Sequence, residues 1–262
     1  MTNKHGDFIW YELMSTDLAA SAAFYGPLLG WTFPPAKSEP DDYLEIQAGD
    51  EFVGGVLRLT PDMIAGGCQS AWIGYIAVDD VDASVTDIEA AGGKTLMPAR
   101  DMPGVGRFAM VADPQGVAFY VMKGAVEGGV STAFSEFSPR DGHCAWNELV
   151  TTDQPAAMAF YTRLFGWKKD GEMDMGPMGA YEFLRAGKEG GGMIGAVMTV
   201  IKEQPIPGWT YYFRVADLGA AISTVGENGG QIIYGPQEIP GGDFVVNGLD
   251  PQGAVFALIG AK

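Results

Sequence analysis

The sequence predicts an α+β protein made by tandem duplication, and three observations carry that prediction. Trp10-Tyr-Glu12-Leu13, Thr16-Asp17, Phe24-Tyr25 and Gly30-Trp31 return as Trp146-Asn-Glu148-Leu149, Thr152-Asp153, Phe160-Tyr161 and Gly166-Trp167, each displaced by 136 positions. The echo then runs on at 137, pairing Gly54-Gly55 with Gly191-Gly192, Trp72 with Trp209, and Asp113-Pro-Gln-Gly116 with Asp250-Pro-Gln-Gly253, while Tyr43 and Tyr181 stand 138 apart. Finally, each half reads as strand, helix and three strands, twice over. A period this long is a duplicated domain, since solenoid repeats run ~20–50 residues.

The elements follow in order. Residues 8–14 alternate, with Phe8, Trp10, Glu12 and Met14 on one face and Ile9, Tyr11 and Leu13 on the other, so they form a strand. Ser15-Thr16-Asp17 caps a helix from Leu18 to Tyr25, which Gly26-Pro27 and Gly30 close. Strands are expected at 43–48 and 53–59, around the turn residues Gly49-Asp50, and at 72–78. Asp80-Val81-Asp82-Ala83 starts a second helix that Gly92-Gly93 ends. Short strands at 95–98, 108–112 and 117–122 complete the half, the last two joined by the Asp113-Pro-Gln-Gly116 turn. The second half repeats this order from Ala145 to Ile259. Residues 1–124 and 142–262 are therefore the two modules, and 125–141, rich in Gly and Ser, an exposed linker.

Composition bounds the function. A chain of 262 residues, 47% hydrophobic, buries two cores. No apolar run reaches the ~18 residues of a membrane span, and the N-terminus lacks a signal-peptide core, so the cytoplasm is the expected location. Cys68 and Cys144 have neither CxxC spacing nor matching repeat positions and read as free thiols. Thirty-three acidic against 16 basic residues give a net charge of −17, which disfavours nucleic acid and favours neutral or cationic small molecules. No glycine-rich phosphate loop is present.

The first-strand block with Thr-Asp and Phe-Tyr, the Gly-Trp after it, Val-Asp-Asp-Val-Asp-Ala at 78–83 and the Asp-Pro-Gln-Gly turn resemble the vicinal oxygen chelate (VOC) superfamily of glyoxalases, bleomycin-resistance proteins and extradiol dioxygenases. The resemblance implies two tandem VOC modules, each of two βαβββ units forming a curved mixed sheet, a cup, with helices on its convex face. It also implies a monomer, since the tandem chain already contains the pair that relatives build by dimerising, with a homodimer as the alternative. Metal-dependent members hold their ion with His or Glu on the first, fifth and last strands of the cup. The matching positions here are Trp10, Ile73 and Tyr120, then Trp146, Thr210 and Ala257. None is a good ligand, so no cofactor and no metal residues are expected.

The candidate site residues follow from the same faces. Glu12 and Glu148 share the faces of Trp10 and Trp146, where a carboxylate acts as general base or binds a cationic or hydroxyl ligand, unless it serves a structural bond. Trp10, Tyr75, Tyr120, Trp146 and Tyr212 suit flat organic ligands, unless they simply fill the cup. Arg214, where the first half has Ala77, is placed to clamp a carboxylate or to neutralise Glu148. The expected function is binding of a small organic molecule, aromatic or cationic, in aromatic-lined cups. The alternative is a lyase-, isomerase- or dioxygenase-like enzyme with Glu12 or Glu148 as general base.

Overall fold

The computed structural model describes residues 3–36, 41–125, 129–201 and 206–262. The first half runs β1 (Phe8–Ser15), α1 (Leu18–Leu29), β2 (Trp31–Thr32), β3 (Tyr43–Ala48), β4 (Glu51–Arg58), a short α2 (Pro61–Ala65), β5 (Ala71–Ala77), α3 (Val81–Ala90), β6 (Lys94–Met102), β7 (Gly106–Ala112) and β8 (Ala118–Gly124). The second runs β9 (Cys144–Thr151), α4 (Gln154–Phe165), β10 (Lys168–Asp174), β11 (Ala180–Arg185), β12 (Met193–Thr199), β13 (Gly208–Val215), α5 (Leu218–Glu227), β14 (Gln231–Glu238), β15 (Phe244–Leu249) and β16 (Val255–Gly260). They form two eight-stranded mixed sheets, ordered β2-β3-β4-β1-β5-β8-β7-β6 and β10-β11-β12-β9-β13-β16-β15-β14. This is the duplicated α+β architecture the sequence predicts.

Local chemistry explains the helix starts. Asp17, Asp80, Asp153 and Asp217 each accept from the amide three residues on, Ala20, Ala83, Ala156 and Ala220, the first, second and fourth with extended backbone. A cap of this kind contributes about 1 kcal/mol. α1 runs a turn past the expected stop at Gly26-Pro27, because Leu28 and Leu29 are buried there. That burial offsets the hydrogen bond that Pro27 cannot make, and Gly30, left-handed at φ 69°, ends the helix.

The chain packs as two compact units that cut across the sequence halves. One comprises residues 1–9, 74–131 and 147–209, the other 10–73, 132–146 and 210–262. Each draws a strand–helix–three-strand quarter from either half.

In the first unit Tyr161 is fully buried, stacked on Trp167 at 5.6 Å and edge-on to Trp209 at 5.4 Å. Its hydroxyl accepts from Trp209 Nε1 (3.2 Å) and donates to Asp113 Oδ2 (3.1 Å). Asp113 Oδ1 in turn accepts the amides of Gln115 and Val117, both at 2.9 Å, which holds the Asp-Pro-Gln-Gly turn. The N-terminal stretch is tied into this unit. Gly6 N donates to Ala77 O, His5 Nε2 lies 2.7 Å from Leu164 O, and Lys188 pairs with Asp7.

The second unit repeats the arrangement with Tyr25, also fully buried. Its hydroxyl accepts from Trp72 Nε1 (3.0 Å) and donates to Asp250 Oδ2 (3.1 Å), while Asp250 Oδ1 takes the amides of Gln252 (2.8 Å) and Ala254 (2.9 Å). Burial pushes the Asp113 and Asp250 carboxyls and the Tyr25 phenol above their ordinary ranges. Gln252 adds a lock: its Oε1 accepts from Thr16 N (2.8 Å), Asp17 N (2.9 Å), Thr16 Oγ1 (2.6 Å) and Ser15 Oγ (2.9 Å) at the start of α1.

The expected exposed linker is partly packed. Residues 126–128 lie outside the described residues, but Ala133 is fully buried and Phe134 bridges Cys144 in parallel. The backbone of 133–135 finds its hydrogen bonds at Cys144, so this segment is tied to the start of β9 instead of trailing in water. Both cysteines are free thiols. No helix of the described residues is long and apolar enough to cross a membrane.

Candidate functional site

β1 and β4 run parallel with Glu12 opposite Gly55, and β3 pairs antiparallel with β4 with Glu45 opposite the same Gly55. Directly paired residues share a sheet face. Glu12, Gly55 and Glu45 therefore line one face in the second unit, with Trp10 and Tyr43 two positions away on the same face. A methyl group on Gly55 would overlap the Tyr43 phenol, so the hydroxyl end of the ring lies close against the β4 backbone. Trp10 Nε1 donates to the Tyr43 hydroxyl at 2.9 Å. Both rings are half-buried, whereas Glu12 is 3% exposed.

The same unit carries a second aromatic face. Trp146, half-buried, packs on a cluster of Tyr212, Val245 and Ala257 with Ile239 and Ile259. Beside it Arg214 donates Nη1 to Asp243 Oδ2 at 2.7 Å and lies 3.8 Å from Asp141 Oδ1. The guanidinium thus already holds carboxylates supplied by its own unit. His143, 2% exposed, has its Nδ1 2.6 Å from Thr132 O, and burial lowers its pKa.

In the first unit Tyr75 and Tyr120, opposite each other on β5 and β8, stack at 4.1 Å with 14° between their planes. Phe108 completes the group at 6.3 and 6.1 Å, and the Arg100 guanidinium lies 5.0 Å over Phe108. Here too Tyr181 donates to Glu148 Oε2 at 2.7 Å, and Glu148 is 7% exposed. The bond fixes the carboxyl's orientation.

The structure therefore brings Trp10 to the face of Glu12, Tyr75 to Tyr120, and Trp146 to Tyr212, and engages Arg214 with Asp243 and Asp141. Sequence reasoning did not single out Tyr43 and Tyr181 as site residues. The signal was present: they are a repeated tyrosine on the strand that follows the first helix, and one touches Trp10 and the other Glu148.

The donor set does not suit a divalent ion. Among the described residues no three His, Cys, Asp or Glu side chains converge. The indole of Trp10, the Ile73 and Ala257 side chains and the Tyr75-stacked Tyr120 phenol offer no imidazole or carboxylate at the expected ligand positions.

Two segments, residues 8–121 and 142–258, match the model of the Glyoxalase/Bleomycin resistance protein/Dioxygenase superfamily. A Mycobacterium tuberculosis protein named "Putative glyoxylase CFP32" is 34% identical over 263 residues, covering 98% of this chain and 95% of that protein. Anthracycline biosynthesis protein DnrV of Streptomyces peucetius is 33% identical over 270 residues, covering 95% and 91%. Among solved structures, the Mn(II)-bound glyoxalase from Novosphingobium aromaticivorans superposes with a TM-score of 0.63 at 17% identity, covering 99% of this chain and 83% of that one. At that identity the likeness speaks for the fold alone.

Proposed function

This chain belongs to the Glyoxalase/Bleomycin resistance protein/Dioxygenase superfamily, and on that premise we propose that it binds a small organic molecule, aromatic or cationic, without a conventional metal site. The observation that carries the reading is the half-buried Trp10–Tyr43 pair joined at 2.9 Å on the face of Glu12. Ring faces of this kind take flat ligands by stacking and cations by their quadrupole. A relative named for anthracycline biosynthesis supports an organic ligand. The compartment we propose is the cytoplasm, consistent with two free thiols, and the proposed state is a monomer.

The test is affinity. Planar aromatic compounds found by a thermal-shift screen should lose about 1–3 kcal/mol of binding energy with Trp10→Ala or Trp146→Ala, with the fold retained. Unchanged affinity in both variants contradicts the reading.

A second reading, an enzyme, is favoured by one observation, the 2.7 Å bond from Tyr181 to the buried Glu148. An oriented carboxylate in that setting removes a proton from a carbon acid, as Glu12 would on its own face. Loss of turnover in Glu148→Gln or Glu12→Gln, with binding retained, is its signature.

A further inference from the structure

We infer that the first-repeat corner formed by Trp10, Tyr43, Glu12 and Glu45 around Gly55 takes a protonated or quaternary amine, and that Gly55 makes this repeat, and not the second, the ligand-bearing one. The inference rests on the binding reading above and names its ligand class and its location.

Strand register compares the two repeats. Glu12 and Glu45 both face Gly55, whereas Glu148 faces Ala196, whose other neighbour across the ladder is Phe183. The first corner therefore carries two carboxylates where the second carries one carboxylate and a phenyl ring. The missing side chain at Gly55 lets the Tyr43 phenol lie against the backbone, with its hydroxyl held by Trp10. At the second corner the Ala196 methyl occupies the corresponding place, and the Tyr181 phenol reaches to Glu148 Oε2 at 2.7 Å. The first corner presents an indole and a phenol, both half-buried, with carboxylates on two sides.

Each part of this arrangement favours a cation. The ring faces attract ammonium groups, and carboxylates close to a low-dielectric interior act more strongly than in water. The net charge of −17 steers cations toward the protein. A quaternary ammonium needs no hydrogen-bond acceptor, which suits a surface of rings and charge.

The experiment is calorimetric titration of the full chain with benzyltrimethylammonium, benzyl alcohol and benzoate. The expected result is one benzyltrimethylammonium per chain, bound at least tenfold more tightly than benzyl alcohol, with benzoate weakest. Gly55→Ala, which pushes the Tyr43 phenol off the sheet, should weaken it about tenfold. Glu45→Gln, at a half-buried position that tolerates the change, should reduce the preference over benzyl alcohol several-fold and serves if Gly55→Ala does not fold. Equal binding of benzoate, two sites per chain, or a folded Gly55→Ala with unchanged affinity overturns the inference. Aromatic binding that is sensitive to Trp10→Ala but blind to charge overturns it while leaving the binding reading intact. Absence of aromatic binding of any kind overturns both.

Discussion

Replacing Tyr25 with phenylalanine should destabilise the protein by about 2–4 kcal/mol, and the structure shows why. The hydroxyl is fully buried, accepts from Trp72 Nε1 at 3.0 Å and donates to Asp250 Oδ2 at 3.1 Å. Its removal deletes one hydrogen bond to a neutral donor, worth ~0.5–1.5 kcal/mol, and one to a charged acceptor, worth ~1.5–3 kcal/mol. The ring stays, so the edge-on packing on Trp72 at 5.4 Å and Phe24 at 4.9 Å is kept and no cavity term is added. Asp250 retains the amides of Gln252 and Ala254, which holds the turn and keeps the loss below the top of the sum. Urea denaturation followed by tryptophan fluorescence and circular dichroism measures the change. A loss below about 0.5 kcal/mol would show that the Trp–Tyr–Asp relay does not lock the unit, and that α1 and the β1 face beside it are held by apolar packing alone.

Four further outcomes follow from the same contacts. Gln252→Ala should cost about 2–3 kcal/mol, because four donors at the start of α1 lose their acceptor. Gln115→Ala should cost under about 1 kcal/mol, since the buried Gln115 Oε1 finds no partner among the described residues; paired denaturation curves decide both. Asp113 and Asp250 have folded pKa values raised above their unfolded ones, so their contribution to stability is fully present below the unfolded pKa and is lost as pH rises through the folded pKa. Asp250→Asn should therefore flatten stability against pH across that window, and denaturation at a series of acidic to neutral pH values measures it. The Cys144 thiol, fully buried and pushed up to about 12, should resist iodoacetamide at neutral pH while the more accessible Cys68 reacts, as peptide mass mapping will show.

Much of the fold was legible because the chain repeats its own signals. Caps at Asp17, Asp80, Asp153 and Asp217, the helix-ending Gly92-Gly93 and Gly229-Gly230 and the Asp-Pro-Gln-Gly turns each fix a local geometry independently of context, and the second copy confirms the first. Gly54-Gly55 and Gly191-Gly192 do not correspond, since Gly55 sits opposite Glu12 and Ala196 opposite Glu148. What stayed hidden depends on contacts distant in sequence. The grouping of one repeat's quarter with the other's follows from Tyr25 meeting Asp250 and Tyr161 meeting Asp113, and no periodicity encodes it. The bounds of β10 are not legible in the sequence because its residues are almost all exposed and charged, so it lacks an apolar alternation. Part of the linker was read as exposed from its composition, yet Ala133 is buried.

At the candidate site the faces of Trp10, Glu12, Trp146 and Glu148 were readable from strand parity. The partner of each was not, because the choice between Trp10 and Glu148 as the neighbour of a repeated tyrosine turns on tertiary placement. Arg214 illustrates the same limit. Its face was legible, while its engagement with Asp243, 29 positions later, depends on how β13 and the loop before β15 come together.

The most direct measurement is the affinity of a planar aromatic ligand for protein stripped with chelator, compared with the same protein after addition of Mn(II), Ni(II) or Zn(II). The account predicts equal affinity in every sample and its loss in Trp10→Ala. Binding that disappears on stripping and returns with one equivalent of metal would contradict it.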